Sequence, residues 1–331
     1  MTPKKSGTSG LIGRRTLAGV ATAALLARPA LAAWPDRPIR MIVPIAPGGS
    51  NDLVARLIGA ELAAALDQPV VVENRPGGAG QVGMRAAAQS APDGYTLILA
   101  NSGAVAITPA MHAQAGYDAV RDFAPVTMIM DVPIMLVVRE DLPVRSVADL
   151  AALMRRDPRA VTFGSPGAGQ TPHLAAELFL RAIGVEATIV TYRGAAPAAN
   201  DFAAGVTQAL FDTSSTLPLV ENRTARILAV TGRNRSAVLP QVPTLGEAGI
   251  PGMELGSWFV LLAPAGVPAE VLERLNRLTR AALSKPEIRE RLAGINAEPR
   301  PTGIEETRNQ IVAETAYWRD VIRRTGLSVG N

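Results

Sequence analysis

The octapeptide GSPGAGQT, Gly164 to Thr171, differs at one position from the phosphate-binding loop pattern G-x-x-x-x-G-K-[ST], because Gln170 stands where the lysine should be. It lies between a short apolar run, AVTF, and a helix-like segment, PHLAAELFLRAIG, which is the strand–loop–helix setting of such loops. Gln170 lacks the charge that reaches the β- and γ-phosphates of a nucleotide. Two interpretations remain: an amide cradle for another anion, such as a carboxylate, or a plain glycine turn.

A second glycine motif, GAGQVG at Gly78 to Gly83, matches the dinucleotide-binding pattern G-x-G-x-x-G after a strand. That fold needs an acidic residue at the end of the next strand, about 20 residues on. The next strand, YTLILAN, ends in Asn101 instead. We therefore interpret this motif as a turn followed by a tight helix start.

The sequence offers little for metal or covalent chemistry. His112 and His173 are its only histidines, they form no H-x-x-x-H or H-x-x-E pattern, and there is no cysteine. Ser165 has no evident base beside it, so we expect a hydrogen-bond donor rather than a nucleophile. His173 falls in the first turn of a helix beside the loop, either near a site or outside it. We expect no metal, no cofactor and no enzymatic activity.

Polar and glycine residues recur where the predicted strands end. The segments are PGGSND (47–52), NSGA (101–104), SPGAGQT (165–171), YRGAAP (192–197) and Asp212. Such residues suit main-chain and hydroxyl hydrogen bonds to a small anion rather than acid–base chemistry. Arg193 is the one cation among them, and it either pairs with a carboxylate or is solvated.

Strand and helix patterns alternate along the chain and predict an α/β protein with mainly parallel sheets and helices on both faces. Ser50 or Asn51 could cap the first helix, and Ser146 to Asp149 reads as a capping box. The chain crosses between two domains near 126–138 and 250–260. We predict a first lobe from 34–132 and 257–331, a second lobe from 133–256, and a ligand cleft between them.

The first 33 residues differ from the rest. A basic, polar start precedes a short apolar run, and Ala30-Leu31-Ala32 fits an A-x-A cleavage site. We predict a cleavable export signal by the general secretory or, through Arg14-Arg15, the twin-arginine route; the alternative is a basic tail of a cytoplasmic protein. Five of the 33 basic residues lie here, which leaves 28 against 29 acidic residues and a net charge of −1. This balance gives no support to nucleic-acid binding.

Taken in order along the chain after residue 33, the strand, loop and helix segments resemble those of the tripartite tricarboxylate transporter substrate-binding proteins, the TctC-like or Bug receptors. The carrying stretches include WPDRPIRMIVPIAPGGSNDLVARLI, QPVVVENRPGGAG, APDGYTLILANS, FGSPGAGQTPHLAAELF and YRGAAPAANDF. Further on, RILAVTGRNRSAVLPQVPTLGEAGIPGMELGSWFVLLAPAGVP extends the resemblance, which covers about residues 34–328.

The resemblance implies a type II-like periplasmic-binding-protein fold, a monomer that closes on a small carboxylate and delivers it to membrane permease subunits. The carboxylate would be a dicarboxylate, a tricarboxylate, an acidic amino acid or an aromatic acid. By the same resemblance, the ligand-binding residues are Gly48, Gly49, Ser50, Asn51, Asn101, Ser102, Ser165, Gly169, Gln170, Thr171, Arg193, Gly194 and Asp212. Two other functions stay open: an exported sensory subunit that signals to a membrane kinase, and an exported hydrolase.

Overall fold

The computed structural model describes residues 1–2, 34–112, 114–253 and 255–325. The predicted export signal, 1–33, therefore lies almost entirely outside the described residues. The strands are β1 Ile39–Val43, β2 Val70–Asn74, β3 Thr96–Asn101, β4 Phe123–Val132, β5 Met135–Arg139, β6 Phe163–Ser165, β7 Ile189–Thr191, β8 Ala209–Asp212, β9 Ala225–Val230, β10 Ser257–Pro264 and β11 Glu298–Pro299.

Helices follow most of these strands, as the alternating pattern predicts. They are α1 Ser50–Leu66, α2 Gln81–Ala88, α3 Thr108–Met111, α4 Val147–Arg156, α5 Thr171–Ile183, α6 Ala195–Ala203, α7 Leu217–Glu221, α8 Ala269–Leu283, α9 Pro286–Ala293 and α10 Ile304–Thr325. A single 3₁₀ turn, Gly78–Gly80, precedes α2, and a π-helical turn, Gly103–Ile107, precedes α3.

The strands form two sheets. The first has the order β11-β4-β10-β3-β1-β2 and the second the order β7-β6-β8-β5-β9. We call the first sheet with the helices packed on it (α1, α2, α8 and α10) lobe 1, and the second sheet with its helices (α5, α6 and α7) lobe 2. The two-lobed α/β architecture is therefore confirmed.

Both sheets are mixed, although the sequence predicts mainly parallel ones. In lobe 1, β1 runs parallel to β2 and β3, whereas β10 runs antiparallel to β3 and β4, and β11 antiparallel to β4. In lobe 2, β6 runs parallel to β7 and β8, whereas β5 runs antiparallel to β8 and β9. Strands β5 and β10 are the first strands after each crossing between lobes. Each runs antiparallel to both strands beside it.

Helices cover both faces of each sheet. In β3, Leu97 and Leu99 pack into a core with α1 and α8, while Ile98 and Ala100 pack into the core that contains α2 and α10. In lobe 2 the two faces of β5 and β8 likewise contribute to separate cores. Alternating side chains of one strand point to opposite faces, so this division requires apolar residues throughout the strand.

The two crossings lie side by side. The apolar run 126–138 divides at Val132 into β4 and β5, with Pro133 in the gap, where its missing N–H breaks the strand ladder. The return crossing ends at β10, whose first residue, Ser257, pairs in register with Val132. The two crossings therefore leave and re-enter lobe 1 at neighbouring strand ends, the end of β4 and the start of β10.

Helix α4 begins as the sequence predicts, whereas helix α1 does not. The capping box is confirmed at α4, where Ser146 Oγ accepts a hydrogen bond from the Asp149 N–H at 3.1 Å. The predicted cap by Ser50 or Asn51 is wrong: both lie inside α1, and the N-cap is Gly49, which makes no side-chain cap bond. The amides of this helix end are therefore left without a capping side chain.

Candidate ligand-binding cleft

A cavity of about 620 Å³ lies between loops of the two lobes. Its volume is in the range of sites that enclose a small organic molecule. Seven of the residues predicted for the site line it: Gly49, Ser50, Asn51, Asn101, Gln170, Arg193 and Gly194. Six others lie outside its lining: Gly48, Ser102, Ser165, Gly169, Thr171 and Asp212.

Gln170, the residue in place of the phosphate-loop lysine, joins lobe 2 to lobe 1. Its Oε1 accepts a hydrogen bond from Asn101 Nδ2 at 3.1 Å, and its Nε2 donates to the carbonyl oxygen of Ala79 at 3.1 Å. Asn101 Oδ1 in turn accepts from the N–H of Ala104 at 3.0 Å. The carboxamides of Asn101 and Gln170 thus form one interlobe contact.

Hydroxyl pairs make two further contacts between the lobes. Ser102 Oγ and Thr171 Oγ1 lie 3.0 Å apart and both side chains are buried. Ser50 Oγ lies 2.7 Å from Ser214 Oγ, which follows β8. Several residues predicted to bind ligand therefore also hold the two lobes together in this structure.

Asp212 positions the turn that follows β8. Its side chain is buried, and Oδ2 accepts hydrogen bonds from the Thr216 N–H at 2.7 Å and the Thr216 hydroxyl at 2.8 Å. Oδ1 accepts from Ser215 Oγ at 2.8 Å. This carboxylate therefore holds a turn that carries one lining residue, Thr213, and one interlobe contact, Ser214 with Ser50.

Ser165 does have a neighbouring base, contrary to the sequence-based expectation. His173 Nδ1 lies 3.2 Å from Ser165 Oγ, and His173 Nε2 lies 3.9 Å from Glu177 Oε1. Burial lowers the pKa of His173, which favours the neutral imidazole. Ser165 is fully buried and does not line the cavity, so a molecule in the cleft does not reach its hydroxyl. The Ser165–His173 pair therefore lies behind the cavity lining and joins the start of the glycine loop to α5.

Two helix N-termini, one from each lobe, face the cavity without side-chain caps. In α1, Gly49 is the N-cap, and in α6 it is Gly194, and no side chain bonds to either cap position. Gly194 has φ +135°, a backbone conformation that residues with a side chain rarely adopt. The amides and partial positive charge of such ends favour an anion.

The negative charge of Asp52, in the first turn of α1, is paired with the Arg56 guanidinium. Burial by itself would raise the pKa of Asp52, but hydrogen bonds from Arg56 and from the Gly48 N–H outweigh burial and lower it. Arg56 Nη2 lies 2.9 Å from Asp52 Oδ1. Arg193, which lines the cavity and is exposed, has no ion-pair partner among the described residues.

The structure adds residues that sequence reasoning missed. The glycine motif interpreted only as a turn is confirmed as one, yet Gly77, Gly78, Ala79 and Gly80 also line the cleft. Eight further lining residues lie in segments that the sequence analysis assigned to an anion site without naming them individually: Pro47, Pro166, Gly167, Ala168, Tyr192, Ala195, Ala196 and Pro197. The remaining ones, outside these segments, are Pro44, Ile45, Ala46, Pro76, Pro172, Thr213, Ser257 and Phe259.

The described part of the chain has neither a candidate metal site nor a candidate membrane-spanning helix. No group of three or more histidine or acidic residues there could hold a metal ion. None of the helices described combines the length and the apolar character that crossing a membrane requires.

The chain belongs to the tripartite tricarboxylate transporter receptor family, whose model matches residues 54–327. It is 36% identical over 309 residues to protein BugT of Bordetella pertussis, which covers 93% of this chain and 95% of that protein. Among solved structures, it is similar to an R. palustris protein with adipate (38% identity, TM-score 0.85, covering 89% of this chain and 99% of the other). It also resembles MatC from Rhodopseudomonas palustris with bound malate (30% identity, TM-score 0.81, 87% and 99%). The family resemblance and the fold of periplasmic binding proteins are confirmed.

Proposed function

We propose that the protein is an extracytoplasmic solute-binding receptor that captures a small organic carboxylate between its lobes and delivers it to a tripartite tricarboxylate-type membrane permease. The export signal would place it in the periplasm. The protein would act as a monomer, bind rather than transform its ligand, and use no metal or cofactor.

One observation carries this proposal. The uncapped N-termini of α1 and α6 belong to opposite lobes and line the same cavity, together with the Arg193 cation, and the described residues of the lining include no acidic residue. Such a site attracts an anion, and the anion contacts both lobes at once. A ligand that bridges both lobes binds the closed arrangement better than the open one, which is the condition for ligand-dependent closure.

Closure would take place about the paired crossings at Val132 and Ser257. We place the lobe limits there, with 34–132 and 257–331 in lobe 1 and 133–256 in lobe 2. The ligand-binding set is proposed to be the thirteen residues named from the family resemblance. Those that do not line the cavity, such as Asp212 and Ser102, act by positioning the loops that do.

The related structures support the ligand class. One was solved with adipate and another with malate, and both molecules are small carboxylates. Gln170 is also consistent with a receptor, because a neutral carboxamide in place of lysine favours release of the ligand over tight binding of a polyphosphate.

Ligand retention and a thermal-shift panel test the proposal. Protein purified without denaturant is analysed by native mass spectrometry, and its melting temperature is measured with mono-, di- and tricarboxylates and with their uncharged amides. We expect a carboxylate at one per chain and a rise in melting temperature with at least one acid but not with its amide. A retained sugar or amine, or no stabilisation by any acid, would contradict the proposed function.

A further inference from the structure

Among the described residues that line the cavity, one side chain is charged. This is Arg193, which has no ion-pair partner in the described part of the chain. The two nearby carboxylates are engaged elsewhere, Asp52 with Arg56 and Asp212 with the turn at Thr216. The side-chain charge of the site is therefore that of one cation.

The unused hydrogen-bond donors also lie together. A Cβ added at Gly194, the N-cap of α6, would lie 3.9 Å from the Cβ of Ala46, which is three residues before the N-cap of α1. Both helix N-termini line the same cavity. No described hydrogen bond uses the backbone N–H groups of Ser50, Asn51, Ala195 or Ala196.

Asn51 is a second sign of a missing acceptor at this place. It lines the cavity, is 5% exposed, and its Nδ2 has no hydrogen-bond partner among the described residues. A buried amide donor without an acceptor destabilises a protein, whereas an acceptor brought by a ligand in the adjoining cavity would remove this cost.

Apart from Asn51, the lining residue with a buried side-chain polar atom that lacks a hydrogen-bond partner among the described residues is Tyr192, through its hydroxyl, and it directly precedes Arg193 in the chain. At the helix starts of α2 and α5, several donors are already occupied. At α2, the N–H groups of Gly80 and Val82 donate to the carbonyl oxygen of Gly77, and that of Gln81 donates to Gly78. At α5, the Gln170 N–H donates to Gly167, and Pro172 has no N–H. The Asn101 and Gln170 carboxamides are bonded to each other.

Most of the remaining wall is apolar. Ile45, Pro76, Pro166, Pro172 and Phe259 are among the residues that line it. A second carboxylate placed against these residues would lose its hydration without gaining a cation or an unpaired donor, which is costly. A hydrocarbon chain or ring placed there would instead be removed from water, which is favourable.

We propose that the ligand is a monocarboxylate with an apolar body. Its carboxylate lies between the N-termini of α1 and α6, in contact with Asn51 and Arg193, and its body lies along the apolar wall. This inference rests on the proposed function and narrows the ligand to one class of carboxylate. The ligand would differ from adipate and malate, the dicarboxylates with which two relatives were solved.

Isothermal titration calorimetry on the mature chain tests the inference with hexanoate and adipate, which differ only in the group at one end. We expect hexanoate to bind about tenfold or more tightly than adipate, because only adipate must bury a second charge. Across butanoate, hexanoate and octanoate, affinity should rise by about fourfold per methylene group that enters the cavity.

Variants locate the carboxylate. Arg193→Gln should weaken hexanoate binding about tenfold, and Asn51→Leu, which removes the unpaired donor, should weaken it as well. Arg233→Gln, which removes an exposed cation outside the cavity, is the matched control and should bind hexanoate like the wild type.

Adipate that binds as tightly as hexanoate, or hexanoate affinity unchanged by Arg193→Gln, would overturn this inference while leaving a carboxylate receptor in place. Binding of citrate alone would have the same meaning. Failure of every carboxylate to bind would overturn both this inference and the proposed function.

Discussion

The side chain of Asn101 donates a hydrogen bond to Gln170 across the cleft, with 3.1 Å between Nδ2 and Oε1. The two residues lie 69 positions apart and belong to different lobes. Asn101 ends β3 of lobe 1, and Gln170 precedes α5 of lobe 2. The residue that distinguishes this loop from a phosphate loop is thus a contact between lobes.

Replacing Gln170 by alanine should loosen the contact between the two lobes. The variant loses the bonds to Asn101 and Ala79, and two hydrogen bonds of this kind stabilise the contact by about 2 kcal/mol. We expect small-angle X-ray scattering to show a larger radius of gyration for ligand-free Gln170→Ala than for the wild type.

Gln208→Ala is the control for this experiment. Gln208 also makes two hydrogen bonds through its carboxamide, to Thr162 and Gly205, but all three residues belong to lobe 2. This variant should lose stability without any change in radius of gyration. Equal radii for Gln170→Ala and the wild type would show that the contact does not hold the lobes.

The stability of the protein should fall below about pH 6.5 because of His173. Burial lowers the pKa of His173 in the folded protein below its value in the unfolded chain, so the unfolded chain binds the proton first as the pH falls. The contribution is complete above about pH 6.5 and is lost as the pH falls toward the folded pKa.

Chemical denaturation at a series of pH values measures this effect. His173→Gln should show a shallower loss of unfolding free energy between about pH 6.5 and 5 than the wild type. His112→Gln, which leaves His173 in place, should retain the wild-type dependence. Parallel curves for His173→Gln and the wild type would mean that another group causes the loss.

Asp212→Ala should destabilise lobe 2 and disturb the cleft together. The change leaves the buried Thr216 N–H and hydroxyl without their acceptor, which costs roughly 3 kcal/mol of unfolding free energy. It should also abolish ligand retention, since the turn carries Thr213 and Ser214. Asp212→Asn, which keeps one oxygen acceptor, should lose less stability; retention by a folded Asp212→Ala variant would remove Asp212 from the site.

Two glycines of the cleft should respond differently to alanine. At Gly80, with φ +98°, a Cβ would lie 2.8 Å from Ala104 Cβ, so Gly80→Ala should lower the unfolding free energy by about 1–3 kcal/mol. At Gly49, φ is −94° and no atom lies within 4 Å of an added Cβ. Gly49→Ala should therefore fold normally; thermal melting of both variants measures the difference, and equal melting temperatures would contradict the packing described at Gly80.

The sequence predicted those features that depend on residues close together in the chain. The apolar periodicity of α1, the capping box at Ser146 and the glycine loop before α5 all involve residues close in the chain. The Ser165–His173 pair was missed, although only eight residues separate the two. A loop that turns a strand into a helix brings such residues together, and that geometry could have indicated the pair.

Other features depend on contacts that the sequence does not encode locally. The direction of β5 and β10 follows from how the chain crosses between lobes, not from their apolar pattern. The Ala- and Pro-rich segment of α6 carries no clear helical period, so its exposed N-terminus beside Arg193 was not anticipated. The pairing of Asn101 with Gln170 required the two lobes to be placed together.

Calorimetric titration of the chain without residues 1–33, with a carboxylic acid and with its primary amide, measures whether the cleft recognises the negative charge. Hexanoate and hexanamide share their apolar body, and only the acid carries the negative charge that two helix N-termini and Arg193 attract. We predict saturable binding of hexanoate at one per chain and no measurable binding of hexanamide. Equal affinity for the two, or no binding of hexanoate or any other carboxylate, would contradict recognition of a carboxylate in the cleft.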